Sequence, residues 1–177
     1  YLRGRKDDAH AGLLPLPHAG REFYLPHVAV GRLVETPAEI TAQVEAFLAR
    51  PVLEPTDALL TGYEFLLDTV DVMSRTLATY GVTEQTALAD NTWTAQDFRA
   101  ALFTQPTAPG LIALNSHFTH YSFYPNDATN VYATEVTATT RYSSTLAFSI
   151  GCHSGLNVPD DAFADTTGID WAQAWTR

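Results

Sequence analysis

Short apolar runs alternate along this chain with stretches of helical periodicity, and that alternation confines it to architectures in which helices pack on a mostly parallel sheet. The run His27-Val28-Ala29-Val30-Gly31-Arg32-Leu33-Val34 is rich in β-branched residues, as a strand buried on both faces would be. Thr36-Pro37-Ala38-Glu39 then predicts a helix start: Thr36 accepts from an early helical N–H, Pro37 suits the first turn, and Glu39 completes a capping box. Ile40, Val44, Phe47 and Leu48 form its expected inward face until Pro51 stops it. Asp57–Gly62 reads as a second strand, and Leu66, Val70, Met73, Leu77 and Tyr80 recur at helical spacing up to Gly81, as core-facing positions do. A third helix is expected from Thr94 to Phe103, with Thr94 as cap, Asp97 near the positive end, and Phe98 and Leu102 inward; Pro106 and Pro109 lie beyond it.

Leu111–Leu114 and Leu146–Ile150 are apolar runs too short for helices, and both are expected to be central strands. About thirty residues rich in Thr, Tyr, Asn and Asp separate them, read as a surface excursion in which Val131–Val136 adds a small strand. Residues 1–26 carry early charges and then Gly and Pro at short intervals, and are expected to be an irregular lead-in to one domain over 27–177. A chain of 177 residues buries roughly two-thirds of its unfolded surface in one core. The expected fold is three-layer α/β, with a mostly parallel central sheet flanked by helices.

Composition narrows the partners. Apolar residues make up 46% and charged residues 17%, which excludes a disordered polymer. Ten basic against twenty acidic side chains give a formal charge of -10 with no Lys/Arg cluster, so neither nucleic acid nor an anionic membrane is an expected partner. Pro, Gly or charge interrupts every hydrophobic stretch before it reaches the length of a membrane span. Cys152 is the only cysteine, which rules out an intrachain disulfide or a multi-thiolate zinc site, and no cofactor or metal is expected. The opening at Tyr1 rather than Met leads us to expect an excised piece of a longer protein.

In open α/β sheets, reactive groups gather just beyond the carboxyl ends of the strands. One predicted strand runs into Asn115-Ser116-His117 and another into Gly151-Cys152-His153-Ser154-Gly155. If the two are parallel neighbours, His117 and Cys152 leave the same edge. A thiol is nucleophilic as thiolate, and an imidazole can take its proton and return it to a leaving amine. Gly151 and Gly155 allow a sharp turn beside Cys152, whose N–H could hold a developing oxyanion. The pattern points to acyl transfer by a Cys-His dyad. Against it stands the bland reading that free cysteines are often buried and inert and that a strand-end histidine often only satisfies backbone; His10, His18, His27, His120 and His153 are also present.

An apolar strand ending in His and a second ending in Cys-x-x-Gly resemble the caspase-like clan of cysteine peptidases, and within it the gingipain family. The segment from His27 to Glu39 is similar to that family's Val-Gly-Arg strand and helix, Ala58–Leu66 to its second strand and turn, and Ile169–Trp175 to a further helix. The resemblance spans roughly residues 24 to 177 in order and spacing. It implies a caspase-like fold and a cysteine endopeptidase in which Cys152 is the nucleophile and His117 the general acid/base. The N–H groups of Cys152 and Phe118 become the oxyanion candidates, although the family usually has Gly where Phe118 stands, and a side chain there is expected to crowd the site. The family often cuts after Arg or Lys, a preference that Asp160, Asp161 and Asp165 would suit. Its members are secreted or cell-surface proteins and continue with further strands, so this chain is expected to be C-terminally truncated. Its expected partners are a peptide or protein substrate and, along the last strand's edge, the remainder of the peptidase domain or a second protomer.

Other readings compete. A caspase-like scaffold without turnover, serving as a binding module, would explain Phe118 and the early stop. His117, His120, Cys152 and His153 offer four zinc-type ligands, but adjacent Cys152 and His153 tend to point apart. A serine hydrolase elbow would need Ser at position 153, which is histidine. The related CHAT peptidases also end a strand in Cys-x-x-Gly, and the Val-Gly-Arg segment favours the gingipain-like assignment.

Overall fold

A computed structural model describes residues 13–18, 21–26, 33, 36–137, 142, 144–162 and 168–176. The chain divides into two units, Tyr1–Leu33 and Val34–Arg177. In the first, β1 (Leu13–His18) and β2 (Arg21–Pro26) form an antiparallel hairpin with Leu13 opposite Pro26 and His18 opposite Arg21. This corrects the expectation of an irregular lead-in. Prolines argue against central strands, but Pro15 and Pro17 stand two apart, so both lack their N–H on the same side of β1, and a two-stranded hairpin has an open side to spare. The strand expected over His27–Val34 falls outside the described residues except for Leu33, which is exposed.

In the second unit, α1 (Pro37–Ala49) begins at the expected capping box: the Glu39 N–H donates to Thr36 Oγ1 at 3.3 Å, and the Thr36 N–H to the Glu39 carboxylate at 2.8 Å. Its supposed inward face is not buried; Val44, Phe47 and Leu48 are all exposed. Capping, not burial, sets where this helix starts.

The sheet of this unit is built from β3 (Asp57–Gly62), β4 (Glu84–Ala89), β5 (Leu111–Ala113) and β9 (Leu146–Phe148), in the order β4-β3-β5-β9 with every neighbouring pair parallel. Alternation along β3 and β5 sorts the core into two layers. Ala58, Leu60, Leu111 and Ala113 pack with Val70, Met73 and Leu77 of α2 (Leu67–Thr79), while Leu59 and Ile112 share a cluster with Phe98 and Leu102 of α3 (Ala95–Leu102). The unit is therefore a mixed α/β structure, a parallel four-stranded sheet flanked by helices. Thr94 caps α3 as expected, its side chain accepting from the Asp97 N–H while the Asp97 carboxylate accepts from Thr94.

Four sequence readings need correction here. Tyr80 lies past the end of α2 and is exposed, because the helix stops at Thr79 before the Gly81 turn. β4 was not expected: Glu84-Gln85-Thr86-Ala87-Leu88-Ala89 has no apolar run, since a sheet-edge strand buries only part of its surface. The run containing β9 is not central but the opposite edge, with Leu146 51% and Ile150 55% exposed. The excursion between β5 and β9 is not merely surface. It forms a three-stranded antiparallel sheet of β6 (His117–Phe118), β7 (Ser122–Tyr124) and β8 (Val131–Tyr132), whose Phe118, Phe123 and Val131 belong to the main core beside Trp171 of α4 (Trp171–Ala174). Among the described residues, no helix is long and apolar enough to cross a membrane.

Candidate functional site

The carboxyl ends of β3, β5 and β9 lie side by side and supply three sets of side chains. β5 and β9 stay joined past their last paired residues: the Leu114 N–H donates to the Phe148 carbonyl at 2.9 Å, and the Ile150 N–H to Asn115 Oδ1 at 3.4 Å. Asn115 is itself buried and tied to β3, its N–H donating to Thr61 Oγ1 at 2.9 Å. The chain segments that carry His117 and Cys152 therefore leave adjacent strands at the same end of the sheet, as expected.

His117 is half-exposed, and its ring is boxed by aromatic neighbours. Tyr124 stacks on it with centroids 5.6 Å apart, Tyr63 meets it edge-on at 5.5 Å and Phe65 at 6.4 Å. Its Nε2 lies 3.3 Å from Glu64 Oε2, with side-chain exposures of 42% for the histidine and 50% for the glutamate. Among the described residues, no hydrogen bond engages Nδ1. Glu64 follows β3 and has φ +55°, a left-handed conformation that costs a non-glycine residue energy. Asn91 holds it there, its Oδ1 accepting the Glu64 N–H at 2.7 Å. Burial raises the Tyr63 phenol above its ordinary range; the negative charge of Glu64 and the nearby Tyr124 add to the rise, and a hydrogen bond with Ser116 opposes it.

Cys152 is exposed in a tight turn. The Gly151 N–H donates to Ser149 Oγ and Ser154 Oγ donates to the Gly151 carbonyl, both at 2.9 Å, so two serines brace the residue before the thiol. The turn does not bend where the glycines suggested. His153 takes the left-handed conformation, at φ +60°. Gly151 is required for room, because a Cβ there would run into the Phe118 ring. No hydrogen bond among the described residues joins Cys152 to His117.

The Phe118 side chain turns into the core beneath Gly151. Its ring is buried against Phe123, at 5.0 Å, and Trp171, at 5.7 Å. Thr119 bonds Ser122 across β6 and β7, at 2.8 Å, so the alternation of an antiparallel ladder puts the Phe118 N–H on the side away from β7. Of the two proposed oxyanion donors, that of Phe118 is thus free of β7, and that of Cys152 is spent on no described group. Asp170, fully buried, ties the chain after the thiol to α4: it accepts from the Gln173 N–H at 2.8 Å, the Val158 N–H at 2.7 Å and Asn157 Nδ2 at 2.9 Å.

Among the described residues, no three His, Cys, Asp or Glu side chains gather as a metal-binding group, so His117, His120, Cys152 and His153 are not assembled as a zinc site. The His120 carbonyl instead receives the Trp171 N–H at 2.9 Å. Asp160 is exposed, and Asp165 lies outside the described residues. Glu64 is the site residue that sequence reading missed as an actor; the strand-end rule that singled out His117 and Cys152 would have found it, applied to β3. No family model, curated protein or solved structure matches the chain.

Proposed function

We propose that the chain is a cysteine peptidase of caspase-like organisation that hydrolyses peptide bonds with Cys152 as nucleophile and His117 as general acid/base. The observation that carries this reading is the shared rim: β5 and β9 are parallel neighbours still bonded beyond their ends, and an imidazole and a lone exposed thiol emerge from that rim. The carboxylate beside His117 adds weight, since a carboxylate on one ring nitrogen orients the imidazole and leaves its other nitrogen to serve a nucleophile.

In this mechanism His117 takes the Cys152 proton, and the sulfur attacks the scissile carbonyl carbon. The oxyanion is met by the N–H groups of Cys152 and Phe118. Collapse of the tetrahedral intermediate breaks the C–N bond, and His117 returns the proton to the departing amine. Water, deprotonated by His117, then attacks the thioester and releases the acid and the thiol. Glu64 acts through His117 as a positioning residue.

An inert scaffold is the second reading, favoured by the lack of a hydrogen bond between Cys152 and His117. In enzymes of this type, such bonds often tighten only when substrate is bound. A peptidyl acyloxymethyl ketone, which alkylates a catalytic thiol, separates the two readings. Labelling of Cys152 that slows in His117→Ala supports the peptidase; equal labelling of both proteins supports the scaffold.

A further inference from the structure

We infer that the cleft beside the Cys152 turn receives a large uncharged substrate side chain, aromatic or branched aliphatic, next to the bond that is cut. This inference rests on the peptidase reading and names its substrate class. The cleft measures about 380 Å³, within the roughly 300–1,000 Å³ of small-molecule sites. Phe118, Trp171 and Trp175 form one wall and Ala147 of β9 another, while Ser149 and Ser154, on either side of Cys152, complete it. The cleft is therefore continuous with the turn that carries the thiol, and a residue held for attack by Cys152 has this space within reach of its side chain.

The chemistry of the lining selects what enters. None of the described residues that line the cleft is Asp, Glu, Lys or Arg. Its two hydroxyls are already committed to Gly151, one accepting its N–H and the other donating to its carbonyl. A guanidinium or ammonium group placed there would give up water without gaining a carboxylate, which is unfavourable. A tryptophan face could attract a cation, but the Trp171 ring is buried and already packed by Phe118, Phe123 and Trp175, and the part-buried Trp175 ring is itself packed by Tyr142 and Trp171. Of Asp160, Asp161 and Asp165, on which a preference for basic residues would lean, Asp160 does not line the cleft and Asp165 lies outside the described residues. An apolar side chain loses nothing on entry and covers aromatic surface.

The test uses acyloxymethyl ketones that differ only in the residue next to the warhead, Phe or Arg, with iodoacetamide as an indifferent alkylator, each reacted with the whole chain and the modified residue located by mass spectrometry. The Phe probe is expected to modify Cys152 at least about tenfold faster than the Arg probe, the discrimination that a few buried methylene equivalents give. Ala172→Phe, which fills the cleft from α4, is expected to slow the Phe probe and leave the iodoacetamide rate unchanged. Equal or faster labelling by the Arg probe overturns the inference and leaves the peptidase reading standing. Labelling by iodoacetamide but by neither peptide probe overturns both. The comparison of probes on the unaltered protein stands whether or not Ala172→Phe folds.

Discussion

The ring of Phe118 fills the space beneath Gly151, its Cγ 2.9 Å from where a β-carbon on that glycine would stand. The strand-end histidine and the Cys152 turn are thereby coupled through a single aromatic contact: the residue after His117 supports the residue before Cys152. Gly151→Ala is expected to destabilise the protein by about 1–3 kcal/mol through overpacking. Phe118→Leu should relieve much of that cost, so that a double-mutant cycle in urea denaturation yields a coupling energy well away from zero. Additive effects would mean that the two residues do not share this space.

Glu64 gives two outcomes of opposite sign. Its left-handed backbone costs an L-residue about 1–2 kcal/mol, so Glu64→Gly is expected to leave stability unchanged or raise it. The same change removes the carboxylate beside His117 and should slow labelling of Cys152 about tenfold or more. Glu64→Gln keeps the backbone demand and should slow labelling without the gain in stability. Thermal melts and alkylation rates read the two effects separately.

Arg99 and Glu135 tie α3 to the chain after β8, with Nε and one terminal nitrogen of the guanidinium 2.7 and 2.8 Å from the two carboxylate oxygens. Burial alone would raise the Glu135 carboxyl, but the Arg99 hydrogen bonds, the Tyr132 N–H and the Arg99 charge outweigh it and hold it below the usual range. A carboxyl depressed in the folded state contributes stability that is present above its unfolded value and lost as pH falls through the folded one. Denaturation followed from pH 6 downward should therefore show a loss beginning near the ordinary glutamate range, about 4.3, and Glu135→Gln should flatten that part of the curve. At neutral pH, Arg99→Ala is expected to cost about 1.5–3 kcal/mol, the range for hydrogen bonds to charged groups.

Asp170 is a fourth point of leverage. Asp170→Ala removes the acceptor of the buried Gln173 N–H and one acceptor each from the part-buried Val158 N–H and Asn157 amide, at a cost of about 1–3 kcal/mol for each group that water fails to reach. The loss should also loosen the chain that follows Cys152, so peptide-probe labelling is expected to fall more than iodoacetamide labelling. Equal reductions with both reagents would limit Asp170 to a general role in stability.

Sequence and structure agree best where local chemistry decides the outcome. The capping boxes of Thr36 with Glu39 and Thr94 with Asp97 lie where the hydroxyl-to-carboxylate spacing put them, because capping is settled within one turn of chain. β3 was legible as an apolar run because both of its faces are covered. Edges were harder. β4 presents too few apolar residues to stand out, and β9 reads as central from its side chains although nothing among the described residues pairs with its outer flank. At the site, the strand-end rule located His117 and Cys152, whereas the Glu64 contact depends on a left-handed residue that no periodicity announces. The role of Gly151 was misread for a similar reason: the glycine is demanded by a neighbour distant in sequence, and His153 makes the turn.

The unpaired flank of β9 has a consequence for how this protein behaves in a test tube. Among the described residues nothing pairs with the amide and carbonyl that Ala147 turns outward beside exposed Leu146 and Ile150, and another copy can lay a segment of its own along that short edge. Mutual repulsion between molecules of formal charge -10 opposes that pairing in dilute buffer. Raising the salt from about 0.1 to 1 M shrinks the reach of that repulsion from about 10 to about 3 Å, so concentrated, salty preparations will turn cloudy sooner than dilute ones at low ionic strength.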